Sequence, residues 1–143
     1  MDPEVEGAVT RMQHVLRHLR RVNAAAFEGA DFSEEDNKTL HALLVQPHPV
    51  EATPAQLADA CHVTRAAMSS RLDRLADGGY VTREVDPIDR RRVIVRPTAA
   101  GRHAWEEKVD AGMAREQHLL HALTDREKQQ LNSLLRKVLL ALE

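Results

Sequence analysis

Between Asp86 and Arg102 the chain reads DPIDRRRVIVRPTAAGR, with Arg90, Arg91 and Arg92 side by side. Like charges that close repel one another, so the run is best tolerated where it meets an anion. A guanidinium is planar, permanently charged and carries a fork of donors that matches phosphate oxygens. From Arg90 to His103 there are five arginines and no acid; from Arg11 to Phe27 there are four, again with no acid. Acids gather instead at Glu34 to Asp36 and at Glu106 to Asp110. The formal net charge of the 143 residues is only −2. Basic patches on a mildly acidic chain point to a confined polyanion site rather than to general polyanion binding.

Other reactive side chains form weaker patterns. Cys61 is the lone cysteine, which excludes an internal disulfide framework and fits a reducing compartment. It shares a helix face with Leu57 and Ala58, where a thiol is ordinarily inert. His14/His18 and His118/His121 stand four and three residues apart. That spacing suits metal ligation on a helix, but no carboxylate or cysteine joins them in sequence, so solvated histidines are expected and no metal or cofactor is assigned. There is no glycine-rich phosphate loop, no nucleophile elbow and no close metal motif, so the chain is not read as an enzyme.

The elements that must position the arginines follow from apolar spacing. Val5, Val9, Met12, Val15, Leu16, Leu19 and Val22 fall on one helical face, predicting a helix from about Glu6 to Phe27 that Gly29 stops. Ser33 to Asp36 resembles a capping start, with Asp where Glu or Gln is better, and Leu40, Leu43 and Leu44 carry a second helix to about Gln46. Pro47-His48-Pro49 forces a loop. Thr53-Pro54-Ala55-Gln56 caps a short third helix, and Thr64 caps a fourth from Arg65 to about Asp77, with Met68, Leu72 and Leu75 inward. Tyr80 to Val85 and Arg92 to Val95 are β-prone around a turn at Asp86 to Asp89, which reads as a hairpin. A long helix opens at Thr98, and the box Thr124-Asp125-Arg126-Glu127 starts the last one. With so few aromatics (Phe27, Phe32, Tyr80, Trp105), Leu, Val and Ala must fill the core.

Two short helices joined by a tight turn and followed by a hairpin make a winged helix-turn-helix. The fold class is mainly α with a small β-hairpin wing. In such a pair the second helix enters the DNA major groove by its N-terminal residues. Here those are Thr64, Arg65, Ala66, Ser69 and Ser70. Arg65 can fork onto a guanine edge, the hydroxyls can bond bases or phosphates, and Ala66 can touch a thymine methyl. Arg71 and Arg74 lie further along, over backbone phosphates. Arg91 can enter a minor groove with Asp89 holding its guanidinium, while Arg90 and Arg92 flank it on phosphates.

The segment LADACHVTRAAMSSRLDRLADGGYVTREVDPIDRRRVIVRPTAAGR, Leu57 to Arg102, resembles the signature region of the MarR (multiple antibiotic resistance regulator) family of prokaryotic transcription factors. DPIDRRRVIVRPTAAG is its most specific part, and the flanking helix order matches over nearly the whole chain. The resemblance implies an obligate two-fold dimer of winged-helix subunits on a pseudo-palindromic operator, usually a repressor released by a small-molecule effector. By the family pattern Asp89 and Arg91 are the wing-tip pair, and Thr64 to Arg71 begins the recognition helix. Two positions depart from the pattern. Pro97 replaces an aliphatic residue, which requires that strand end to be unpaired or at an edge. Ala76 replaces a common acid.

This gives a single domain over 1–143, with dimerisation helices in 1–30 and 102–143 and the winged helix-turn-helix in 33–98. Leu131, Leu134, Leu135, Val138, Leu139 and Leu142 form a terminal stripe. Paired across a two-fold axis with the face bearing Val9 and Leu19, it would be covered, and the two recognition helices would sit about one DNA turn apart. The resemblance also places an effector pocket between the dimer helices and the winged domain, with Met12, Leu16, Arg17, Phe27, Leu43, Trp105 and Met113 as candidate walls. The expected partners are double-stranded operator DNA, a second copy of the chain and an effector of unknown identity. No charged-then-apolar leader or long apolar run is present, so a cytoplasmic protein with no membrane partner is expected. The competing readings are a winged-helix protein-interaction module, or a metal- or redox-sensing member of the same family.

Overall fold

Where each helix starts is decided by a side chain that can accept the first free amides. A computed structural model of the chain describes residues 1–29, 31–47 and 49–143 and divides into two compact units, Met1–Glu106 and Glu107–Glu143. In the first unit, α1 spans Pro3–Ala25. It begins earlier than the apolar spacing predicts, because Asp2 Oδ1 accepts the amides of Glu4 (2.9 Å) and Val5 (3.4 Å) and Pro3 fits the first turn. It ends before Phe27, and Gly29 then takes a left-handed φ of 68°.

α2 spans Glu34–Leu44. Its capping box is complete although the third residue is Asp: Ser33 Oγ accepts from the Asp36 amide at 3.1 Å, and Asp36 Oδ2 accepts from the Ser33 amide at 3.2 Å. α3 (Pro54–Ala60) has the expected Thr53–Gln56 box, and α4 (Arg65–Asp77) is capped by Thr64. The loop expected at Pro47 to Pro49 includes His48, which lies outside the described residues.

The strands β1 (Val81–Val85) and β2 (Val93–Pro97) pair antiparallel, in register from Val81↔Pro97 to Val85↔Val93. β2 therefore runs further than expected. Pro97 is paired in register rather than left out, at the last position of the strand, where its missing donor costs least. On the other side of β2, Ala52 bridges Val95 through two backbone bonds of 3.1 and 2.8 Å.

The core of this unit lies between α2, α3, α4 and the hairpin. Leu40, Leu43, Leu57, Met68, Leu72, Leu75 and Val95 are fully buried in it. Phe32 closes one side, its ring 5.2 Å from that of Tyr80. Aliphatic residues fill the centre, as the composition requires.

The turn into α5 (Ala99–Leu119) is locked by Thr98. Its hydroxyl donates to the Gly79 carbonyl at 2.6 Å and accepts the Gly101 amide at 3.1 Å, while its own amide bonds the Tyr80 carbonyl at 3.1 Å. Gly101 is obligatory here: a Cβ on it would stand 2.0 Å from the Tyr80 carbonyl oxygen.

α1 buries no residue. Val5, Val9, Met12, Val15 and Leu16 are exposed on it, with Leu19 and Val22 half-buried. In the second unit α6 (Asp125–Leu140) starts at its predicted Thr124–Glu127 box and also buries none. Leu131 is half-buried there, and Leu134, Leu135, Val138, Leu139 and, beyond the helix, Leu142 are exposed. Among the described residues no helix is long and apolar enough to cross a membrane.

Gly101→Ala is expected to lower stability by about 3 kcal/mol, since backbone rather than a flexible side chain must give way. Thermal unfolding of the purified variant checks this, and an unchanged Tm would refute the close approach.

Candidate nucleic-acid interface

The turn between α3 and α4 aims α4, the candidate reading helix. Val63 donates its amide to the Ala58 carbonyl at 3.0 Å, which forces His62 into a left-handed φ of 53°. Thr64 Oγ1 then accepts the Ala67 amide at 3.1 Å. With Met68, Leu72 and Leu75 buried, the 3.6-residue repeat leaves the opposite face bare. Thr64, Arg65, Ala66, Ser69 and Ser70 are all exposed there, as expected. Arg71 is half-buried.

Arg74 has a partner within the fold. Its guanidinium is 3.2 Å from Asp36 Oδ1, and the Asp36 side chain is only 5% exposed. The same carboxylate thus holds the start of α2 through Ser33 and grips α4 through Arg74. The pair lies 38 residues apart in sequence, and no local periodicity announces it.

Two further ties went unread in the sequence. Arg83 on β1 bonds Asp73 on α4, joining the wing to the reading helix. Arg96 on β2 is 2.7 Å from Glu51 and 3.1 Å from Glu84. Arg96 belongs to the acid-free run in sequence, yet in the fold it is neutralised by two acids. The cross-strand neighbour Glu84 was the available clue, once the register is known.

At the hairpin tip, Asp86 Oδ1 accepts the amides of Ile88 (2.8 Å) and Asp89 (3.4 Å), and the Asp86 amide bonds the Arg92 carbonyl at 2.8 Å. The Arg92 guanidinium lies 3.9 Å from the Asp86 carboxylate. The Ile88 amide foremost, then that of Asp89 and the charges of Arg92 and Arg96, hold the Asp86 carboxyl below its ordinary value against a smaller burial effect. Asp89 Oδ1 accepts the Arg91 amide at 3.2 Å and sits 3.7 Å from its Nε. The expected Asp89–Arg91 pair is therefore present, with Arg91 still 96% exposed. Arg90 and Arg65 have no ion-pair partner among the described residues. The surface that can meet an anion is thus a hydroxyl-rich helix face with Arg65, beside a fixed turn presenting Arg90 and Arg91.

The remaining candidates scatter. Leu43 corrects an expectation: it is fully buried core, with no surface left for a ligand. Phe27 and Trp105 pack against the same core, and the Trp105 indole donates to His41 Nδ1 at 3.3 Å. Leu16 and Arg17 line an open groove on α1 with Gln13 and Arg20, and Met12 is exposed on that helix. Met113 is exposed on α5 in the second unit. Cys61 is partly exposed, its Sγ 3.9 Å from the Lys38 carbonyl oxygen. His118 and His121 stack with ring centroids 4.8 Å apart, and among the described residues no three potential ligands gather.

Comparison with known proteins gives this geometry its context. The pattern of the MarR family matches residues 38–92. The regulator PecS of Dickeya dadantii is 30% identical over 138 residues, covering 96% of this chain and 83% of PecS. The chain belongs to the MarR family. The repressor YetL of Bacillus subtilis is 28% identical over 82% of this chain, which spans 66% of YetL's length. A solved mutant of MarR from E. coli complexed with operator DNA superposes with a TM-score of 0.67 at 27% identity, covering 97% of this chain and 99% of that one. As in the family pattern, the capped helix after the tight turn and the DPIDRRR wing stand together in one unit.

Asp36→Ala is expected to destabilise the protein more than Arg74→Ala, by about 2 against 1 kcal/mol, because it removes the cap bond as well as the pair. The double variant should cost less than the sum of the two. Urea unfolding of the three variants measures this, and strict additivity would show that the pair is not coupled.

Because Asp86 is held below its ordinary 3.8, the wing turn gains its full support above that pH and loses it as pH falls through the lower folded value. An NMR titration of the Asp86 carboxyl carbon should give a midpoint below 3.8; a midpoint at or above it would overturn the assignment.

Proposed function

We propose that the protein is a sequence-specific DNA-binding transcriptional regulator and not an enzyme. The observation that carries this is the bare face from Thr64 to Ser70 on a helix whose other face is core, joined through Asp73–Arg83 to a wing that ends in Arg90 and Arg91. A major groove accepts such a helix, and the adjoining groove accepts the arginine tip. The protein reads a pseudo-palindromic operator as a homodimer formed by the apolar faces of α1 and α6. A two-fold axis between them spaces two reading helices roughly 34 Å apart. It acts as a repressor in the cytoplasm and leaves DNA when a small-molecule effector binds. Both compact units belong to a single MarR-like domain over 1–143 in this reading.

The test is fluorescence anisotropy on duplexes selected from a random pool, over a salt series, with scrambled DNA as control. Selected DNA should bind about 10³-fold tighter than scramble. Absence of binding even at low salt would sink the regulator reading in favour of a protein-interaction module.

On that selected duplex, Arg91→Ala should weaken binding and flatten the salt slope by about one unit, with the dimer intact by sedimentation. Arg65→Ala should lose roughly 1–3 kcal/mol on the operator and much less on scramble. Equal losses on both DNAs would make Arg65 a phosphate contact only.

A further inference from the structure

We infer that Ile88 is a specificity-determining apolar contact of the wing, seated against the deoxyribose walls of an A·T-rich minor groove beside Arg91. The inference rests on the DNA-binding reading above. Turn tips are ordinarily polar, and Ile88 has no packing partner: at 95% exposure, only the terminal Met1 is a more exposed large hydrophobic among the described residues. Nor is it left loose. Pro87 fixes the backbone before it, and the Ile88 amide donates to Asp86 Oδ1 at 2.8 Å. Bonds from the Asp86 amide to the Arg92 carbonyl (2.8 Å) and from the Arg92 amide to the Asp89 carbonyl (2.9 Å) close the turn beneath it. A rigid tip therefore presents one branched hydrocarbon side chain within three residues of Arg90 and Arg91.

The charge around it selects the occupant. An apolar protein patch gains nothing from adjacent guanidinium groups, whereas a minor groove offers both needed surfaces. Its negative potential, deepest where the groove is narrow, takes the arginine, and its sugar C–H walls take the isoleucine. A narrow A·T groove brings those walls closest. A guanine places its N2 amino group on the groove floor and blocks seating. Ile88 thus adds sequence discrimination that Arg91 alone does not give, and it does so without a charge.

The experiment uses the full-length protein and three versions of the selected duplex, with A·T, G·C or inosine·C pairs at the wing contact. Inosine·C keeps the major-groove acceptors of G·C but lacks the N2 amino group. The wild type should bind the A·T and inosine·C duplexes alike and the G·C duplex more weakly. Ile88→Ser should lose roughly 3- to 10-fold on A·T and inosine·C, close the gap to G·C, and keep the wild-type salt slope and Tm. Ile88→Val should retain most of the discrimination. Wild-type affinity of Ile88→Ser for the A·T duplex, or an equal loss on all three duplexes, overturns the inference. If Arg91→Ala still weakens the same duplex in that case, the regulator reading stands and only the role of Ile88 falls. If the wild type binds no selected duplex, both fall together.

Discussion

Everything on the candidate DNA-facing surface depends on how α4 is seated. Met68, Leu72 and Leu75 are each no more than 1% exposed, and they hold the helix by one stripe against α2, α3 and β1. A helix gripped along one stripe must present the other, so the burial that stabilises the unit also orients Thr64, Arg65, Ala66, Ser69 and Ser70. Loss of packing there would loosen the reading face before it changed any residue on it. The polar ties reinforce the same seat: Asp36–Arg74 in the last turn of the helix, Asp73–Arg83 toward the wing, and Thr98 and Gly101 clamping the backbone that follows.

Acids decide which arginines remain available. Along the sequence the wing and its approach look uniformly basic. In the fold Arg96 is shared by Glu51 and Glu84, Arg83 is taken by Asp73, Arg74 by Asp36, and Arg92 approaches Asp86. Among the described residues Arg65 and Arg90 have no ion-pair partner, and Arg91 is steered rather than neutralised by Asp89. Consuming the inner cations as internal ties has a physical consequence. Between α4 and β2, attraction to a polyanion is thereby weighted toward Arg65 at the helix start and Arg90 and Arg91 at the hairpin tip.

The apolar faces of α1 and α6 are the other unfinished business of the single chain. Each helix shows a stripe with the right period and buries no residue. Such stripes are costly in water, and a symmetric partner is the cheapest cover because one surface then serves twice. In the proposed homodimer the same cover would also fix the spacing of the two reading helices.

The sequence by itself determined the local events. Capping residues placed the starts of α3, α4 and α6, and period-3.6 stripes named Met68, Leu72 and Leu75 as inward. DPIDRRR marked the turn and its Asp89–Arg91 pair. These are readable because their partners lie within a few residues, where chain geometry fixes the distance. The tertiary structure alone decided the rest. It gave Asp36 to Arg74, paired Arg96 with Glu51 and Glu84, sealed Leu43 in the core, and made Gly101 indispensable by pressing it on Tyr80. Those contacts span 12 to 45 residues of sequence where they are not local, and only folding, which trades chain entropy for burial, brings such groups within bonding distance.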